Sequence, residues 1–371
     1  KFRIFTRRFF FFLNILTVLF FLAACLASSL HPQTWWFVSF LGLAFPFLLL
    51  LVIVFLAWWL FVKAKFSLLS LVALLIGIRS IMAFFAFHAS GSFTQQKKPG
   101  SVRIATWNVA RFIEMKQNNN KGSQTRLKMM QLLKEQDADI VCLQEFFHSA
   151  QDTGWYANID YIRDNLKYPY YYYSRENDGY KQFIGSIIFS RYPILDSGII
   201  RYPRPTLPEA LIHADILVNS DTIRVYTSHL QSFLFKKEDY RKISEIKEAD
   251  DSLLSNSRAI FSKVKRGVVN RSIQADIIAK VLQDSPYPLV FCGDLNDVPN
   301  SYAYATIRGD MQDAFLKKGF GIGRTFSALS PTLRIDYIFA VDRFSILQFR
   351  RLVKNYSDHY MLVSDMELKP R

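Results

Sequence analysis

The sequence predicts a layered α/β sandwich carried behind three transmembrane helices, on three observations. Residues 1–88 contain no Asp or Glu and are mostly apolar or aromatic. Beyond them, apolar runs of strand length alternate with longer stretches of helical periodicity. Six of those strands border on a carboxylate, a carboxamide or an imidazole.

The apolar part resolves into Phe9–Leu30, Thr34–Phe61 and Phe66–Phe87, each reaching the roughly 20 residues that cross a bilayer as helix. A cleavable signal peptide with a small-residue end at Ala24–Ser29 would explain the first stretch and leave the other two unexplained. Arg79 inside the third stretch is costly in lipid and is expected in a helix-packing contact, or snorkelling to the surface. The cations Lys1, Arg3, Arg7 and Arg8 precede the first helix, and Lys63 and Lys65 separate the second from the third, while His31-Pro32-Gln33 carries no Lys or Arg. Positive loops stay cytoplasmic, so the amino terminus is expected inside and everything beyond residue 88 outside, in the periplasm or its equivalent. The chain does not begin with Met, and its first cytoplasmic residues are expected to be trimmed.

The division expected is a membrane anchor over 1–88, a polar linker over 89–100 and a catalytic domain over 101–371. Seven of the 46 cations and none of the 31 acids lie in the anchor, leaving +8 for the remainder, which is moderately basic. Three cysteines provide no disulfide framework, and Cys142 and Cys292 in apolar runs read as small core hydrophobes.

The catalytic part opens as strand, helix, strand: Val102–Trp107, then Gln124–Glu135, then Asp139–Leu143. Further strands are expected at Ser186–Phe189, Ala210–Leu217, Ile223–Ser228, Leu289–Cys292, Ile335–Phe339 and Met361–Met366, with a helix over Ser272–Gln283. Tyr170–Tyr173 after Pro169 reads as an aromatic loop, and Lys236, Lys237, Arg241 and Lys242 as a solvated helix-like run.

The polar residues at strand ends are Asn108, Gln144-Glu145, His229, Asp294 with Asn296, Asp336, and Asp358-His359. Singly, each has an ordinary explanation as cap, turn or core residue. Together they describe one cleft with carboxylates, carboxamides and two histidines, and no Cys or Ser nucleophile beside a base.

TWNVARF at Thr106–Phe112, CLQEF at Cys142–Phe146, SHLQ at Ser228–Gln231, GDLND at Gly293–Asp297, RIDYIF at Arg334–Phe339 and SDHYML at Ser357–Leu362 together resemble the endonuclease/exonuclease/phosphatase superfamily, over about Val102–Leu368. The resemblance implies a four-layered α/β sandwich of two packed, mostly antiparallel sheets, and hydrolysis of phosphate esters with a divalent cation, Mg²⁺ or alternatively Mn²⁺. It implies Glu145 as main metal ligand with Asn108 and Asp358 beside it. Asp294 would orient or deprotonate the attacking water, Asn296 and His229 would contact phosphate oxygens, and His359 would face the scissile phosphate with Asp336 fixing its ring. Tyr226, three residues before His229, is a further candidate for substrate binding.

His229 with its context SHLQ is similar to the sphingomyelinase pattern, whereas the superfamily's DNA-repair branch carries Asn there. That branch also has an Asp shortly after the first-motif Asn, where this sequence has Ala110. A phosphate-ester substrate beside a lipid bilayer, with a lipid head-group phosphodiester preferred, is therefore expected. An extracytoplasmic nuclease and a catalytically silent binding module remain alternatives, and no protein partner is inferred.

Overall fold

The computed structural model of the chain describes residues 2–88, 91–117, 124–151, 154–206, 209–235, 238–239, 241 and 253–370. The molecule divides into two units, one holding Lys1–Phe85, Phe235–Ala275 and Asp297–Ile307, the other Ala86–Leu234, Asp276–Asn296 and Arg308–Arg371.

The first unit contains helices α1 (Phe2–Cys25), α2 (Pro32–Lys63), α3 (Ser67–Ile76) and α4 (Ile78–Phe84). Pro32 opens α2, where a missing N–H costs nothing, and His31 Nδ1 accepts from the Gln33 amide at 3.2 Å. Among the described residues two segments, Ile4–Ser28 and Pro32–Ile76, are long and apolar enough to cross a membrane by length and composition. The stretch expected as one third helix, Phe66–Phe87, is instead two short helices interrupted at Gly77, followed by strand β1 (Ala86–Phe87). A Cβ on Gly77 would stand 2.6 Å from Cζ of Phe21, so glycine there accommodates the close approach of α1. Arg79 is exposed on α4 rather than packed in a helix contact. Asn14 on α1 and Ser70 on α3 are buried together, the Ser70 hydroxyl donating to Asn14 Oδ1 at 3.0 Å.

The second unit is an α/β fold with two mixed sheets. Strands β2 (Val102–Asn108), β3 (Ile140–Ser149), β4 (Tyr170–Tyr173), β6 (Gln182–Ser190), β14 (Phe344–Leu352) and β15 (Met361–Leu368) form a sheet in the order β14-β15-β2-β3-β6-β4, with β5 (Glu176–Gly179) also on β6. Strands β7 (Ile194–Arg201), β8 (Ala210–Val218), β9 (Asp221–His229), β10 (Leu289–Asp294), β11 (Gln312–Asp313) and β13 (Asp336–Ala340) form the other, in the order β11-β13-β10-β9-β8-β7. Each sheet holds one parallel pair, β2 with β3 and β9 with β10, among antiparallel neighbours. A two-residue strand β12 (Phe320–Gly321) pairs with β1.

The sheets pack face to face. Ile104, Ile140, Cys142 and Ile188 from one meet Ile212, Val225, Val290 and Cys292 from the other in a single buried cluster. Both cysteines lie there as core residues, and burial pushes the Cys292 thiol up. The outer face of the seven-stranded sheet buries Ala105, Trp107 and Val141 against Met129, Met130 and Leu133 of α5 (Thr125–Gln136) and Ile159 and Ile162 of α6 (Asn158–Leu166). Arg103 on β2 and Asp365 on β15 form a fully buried ion pair at 2.6 Å.

Every strand expected from the sequence is present within a few residues. Tyr170–Tyr173 is a strand rather than a loop, because a run of aromatic residues suits a pleated edge paired on one side to β6. Helix α7 spans Leu253–Gln283 and so starts well before Ser272. Gly267 lies inside this helix, where Val264 and Val268 are buried. Short helices α8 (Tyr302–Arg308) and α9 (Ala314–Lys318) follow. Of the basic run, Lys236, Lys237 and Lys242 lie outside the described residues, and Arg241 is exposed and helical.

Candidate active site

Parallel pairing brings the ends of β2, β3, β9 and β10 together, with Asn108 beside Gln144 and Asp294 beside His229 in register. Period-two alternation places Asn108 on the same face as Ile104, and Asp294 on the same face as Val290 and Cys292, which is the face turned to the other sheet. Each apolar inner face thus ends in a polar group at one edge of the sandwich. Gln144 ties the sheets there, its amide nitrogen donating to Thr106 Oγ1 at 3.0 Å and to Thr227 Oγ1 at 2.9 Å.

Glu145 reaches the cleft by a device that alternation does not contain. The register of β3 on β6 shifts between Leu143 and Phe146, a bulge, and Glu145 has φ of 47°. The extra residue redirects the carboxylate; backbone held in such a sparsely populated region is common at functional sites. Asn296 is likewise left-handed, with φ of 50°, in the turn after β10. Gly293 must be glycine, since a Cβ would lie 2.2 Å from the Ser228 carbonyl oxygen of β9.

The side chains form a continuous chain of contacts. Asp336 Oδ1 and Oδ2 both lie 3.0 Å from His359 Nδ1, and His359 Nε2 is 3.6 Å from Asp294 Oδ2. Asn108 Nδ2 donates to Asp294 Oδ2 and to Glu145 Oε1, each at 3.1 Å. His229 Nε2 sits 3.7 Å from Glu145 Oε1 and 3.5 Å from Asp294 Oδ2, while its Nδ1 is 3.2 Å from Glu209 Oε1. Asn296 caps the turn with its backbone N–H on Asp294 Oδ1 at 2.8 Å, and its Nδ2 lies 2.9 Å from His229 Nε2. That last contact suits a neutral ring with its proton on Nδ1; protonating Nε2 turns it toward the two carboxylates.

Electrostatics follow from burial and crowding. Burial alone would depress the His229 imidazolium, but Glu209, then Asp294 and Glu145, outweigh it and raise the ring to about 10. His359 is raised in the same way against its burial, by Asp336 and Asp294. Burial raises the Asp336 carboxyl, against the opposing charge of His359.

Glu145, Asn108, Asp294, Asn296, His229, Asp336 and His359 are therefore gathered in one place. Asp358 is exposed, with its Oδ1 accepting from Ser357 Oγ at 3.2 Å, and it stands next to this cluster rather than in it. Tyr226 is not brought to the site: it is buried on the opposite face of β9, against His213 at 5.6 Å between ring centres. One residue of alternation separates it from the face of Thr227 and His229. Glu209 is a member that sequence reasoning missed, because it precedes β8 in no recognisable motif.

The donors fit a hard divalent cation. Glu145 has its side chain about one-third exposed toward the cleft, and the Asp294, Asp336 and His359 ligand atoms lie within 4.8 Å of one another. Asn108 turns its amide nitrogen to the two carboxylates and its Oδ1 to the Ala110 amide at 3.0 Å, so as placed it steers Glu145 and Asp294. A cavity of about 410 Å³ opens beside Glu145 and His229, lined also by Arg111, Glu176, Asp178 and Glu209. Arg111 pairs with Asp178 at 3.0 Å, and Arg201 pairs with Glu176.

The Endonuclease/Exonuclease/phosphatase family profile matches residues 105–359, which includes every member of this cluster. The chain belongs to that family. As a family member it is a metal-dependent phosphoric ester hydrolase of phosphodiesterase or nuclease-like type. Residues 7–84 match a second profile, that of a domain of unknown function. No curated protein matches the chain by sequence. Among solved structures, an endonuclease/exonuclease/phosphatase from Beutenbergia cavernae DSM 12333 superposes with a TM-score of 0.50 at 18% identity, covering 74% of this chain and 72% of that one. A D. rerio TDP2 humanized by 14 mutations gives 0.50 at 16% identity, covering 72% of this chain and 99% of that one. Both have the family's fold.

Proposed function

We propose that the chain is a membrane-anchored, Mg²⁺-dependent phosphoesterase that hydrolyses phosphodiester or phosphomonoester bonds by in-line attack of water, with a lipid head-group phosphodiester as substrate class. The observation that carries the chemistry is the unbroken contact chain Asp336–His359–Asp294–Asn108–Glu145. Asp294, buried and held by Asn108 and the Asn296 amide, orients the attacking water and accepts its proton as the new P–O bond forms and the ester P–O bond breaks. Protonated His359 and His229, with the Asn296 amide, meet the phosphoryl oxygens as negative charge builds there. A divalent cation bound at Glu145, with Asn108 and Asp358 beside it, supplies charge neutralisation for phosphate and leaving alkoxide.

The lipid reading is supported by the apolar helices. Ser67 to Phe84, the combined length of α3 and α4, is about 27 Å at ~1.5 Å per residue, close to the hydrocarbon thickness, so a third crossing is compatible with the break at Gly77. The charge bias then favours a cytoplasmic amino terminus, an anchor over 1–88, a linker over 89–100 and an extracytoplasmic domain over 101–371.

The test is the full chain in detergent, assayed with Mg²⁺, Mn²⁺ or excess chelator against phospholipids, sphingomyelin and plasmid DNA. Metal-dependent release of a lipid head group is expected. Cleavage of DNA with no lipid turnover would replace the lipid reading by the nuclease one, and inactivity on all substrates with metal bound would favour a silent module.

A further inference from the structure

Helix α7 begins in the helical unit: its residues up to Ala275 group with Lys1–Phe85. Residues 253–275 contain no Asp or Glu and five cations, Arg258, Lys263, Lys265, Arg266 and Arg271. Two of the five are engaged, Lys263 with Asp239 at 2.5 Å and buried Arg271 with Asp297 at 2.9 Å. Arg258, Lys265 and Arg266 are exposed.

This half-helix touches α2 near its amino-terminal end. Phe261 stacks on Phe40 with centroids 4.5 Å apart and planes 18° apart, meets Trp36 edge-on at 5.3 Å, and still exposes 44% of its surface. Four residues on, Lys265 Nζ stands 4.3 Å from the Trp36 ring centre. With a rise of ~1.5 Å per residue, the 32-residue α2 is about 48 Å long, which overshoots a ~30 Å hydrocarbon core by roughly 9 Å at each end. Trp36 then lies about 6 Å and Phe40 about 12 Å from Pro32, at headgroup depth and just inside the acyl region. An aromatic at the boundary with cations above it is the layout of an interfacial amphipathic helix.

We propose that residues 253–275 are a membrane-surface segment that takes the phosphates of anionic phospholipids with Arg258, Lys265 and Arg266 while Phe261 enters the acyl boundary. The inference rests on the reading of α1 and α2 as membrane-spanning. It assigns a lipid-binding surface outside the active-site cluster, one that fixes which lipids surround the enzyme.

The test uses the full chain, purified with its lipids and mildly delipidated in the presence of equal phosphatidylglycerol and phosphatidylcholine, with retained lipids counted by native mass spectrometry. Wild type should retain phosphatidylglycerol in preference, and R258Q/K265Q/R266Q should lose that preference by about 100-fold, at about fivefold per surface cation. Because Lys265 also packs on Trp36, R258Q/R266Q is the second variant, expected to lose about 25-fold with an unchanged melting temperature. Unchanged phosphatidylglycerol retention in both variants would overturn the proposal, as would an added oligonucleotide displacing the lipid from this face. Alkaline carbonate extraction separates the two readings: chains that stay in the membrane pellet with unaltered lipid preference sink this inference alone, and chains that leave the pellet sink the membrane-spanning reading.

Discussion

Oε1 of Glu209 lies 3.2 Å from Nδ1 of His229, the counterpart of the carboxylate that Asp336 presents to Nδ1 of His359. Each imidazole is thereby held from behind by a carboxylate while its Nε2 faces Asp294 at 3.5–3.6 Å. A partner that fixes tautomer and ring orientation typically matters by about 10- to 100-fold. Glu209→Gln should lower kcat by that amount with KM little changed, and should add almost nothing in a His229→Ala background. Multiplicative losses would show that Glu209 acts apart from the ring.

The pair Asp336 and His359 should behave as a unit. Single changes, His359→Ala or Asp336→Ala, should each lower kcat by roughly 10²–10⁴-fold, the range of a positioned acid–base group. The double variant should be little worse than His359→Ala. Steady-state kinetics on all three decide it: independent effects would make Asp336 a structural residue of β13.

Seven of the eight residues expected at the catalytic and metal positions gather in one cluster: Asn108, His229 and Asp294 end apolar runs whose alternation survives into the structure, as Val290, Cys292 and Asp294 show, whereas Glu145 arrives through a bulge, Asn296 through a turn, and Asp336 and His359 at or just before the starts of their strands. Tyr226 lies at an odd offset from His229, which puts it on the other face of the strand. Glu145 is marked by its motif, but the bulge that turns it into the cleft has no sequence signature, since it is a register shift against the neighbouring strand, where Phe146 pairs with Gly185. Glu209 illustrates the converse, a contact made by tertiary closure of a segment that carries no local pattern. In the helical unit, composition revealed the apolar stretches, but the close approach of Phe21 to Gly77 is a contact between helices and cannot be read from Phe66–Phe87 alone.

Glu145→Ala should abolish divalent-metal-dependent turnover and remove the corresponding heat of metal binding in titration calorimetry, with the fold intact by circular dichroism. The reason is charge: Asn108 and His229 cannot replace an anionic oxygen toward a hard cation. Native activity in excess chelator, or a variant that binds metal as tightly as wild type, would contradict this assignment.

Topology has its own outcome. In sealed vesicles with the original outer face exposed, added protease should degrade residues 101–371, and a cysteine placed before α1 should resist a membrane-impermeant thiol reagent. Complete protection of the catalytic part would invert the orientation drawn from Lys63, Lys65 and the amino-terminal cations.

The last prediction concerns stability rather than turnover. His213 on β8 lies away from the catalytic cluster, packed on Tyr226, and its buried Nδ1 has no hydrogen-bond partner among the described residues. Burial, then the charge of Arg224, depress its pKa, outweighing the opposing influence of Asp215 and Asp196. The folded protein therefore favours the neutral ring. A base with a depressed folded pKa contributes stability above its unfolded value of about 6.5, and that stability is lost as pH falls, because the unfolded chain takes up the proton first. The pH dependence of the melting temperature between about pH 7 and pH 5 should accordingly carry a falling contribution from His213, opposed by proton uptake at the raised carboxyl of Asp336. His213→Phe, which keeps the ring contact with Tyr226 and cannot be protonated, should measurably remove that falling contribution from the slope. A slope identical to wild type would mean that His213 titrates alike in the folded and unfolded chains, and its burial beside Arg224 would then have no electrostatic cost.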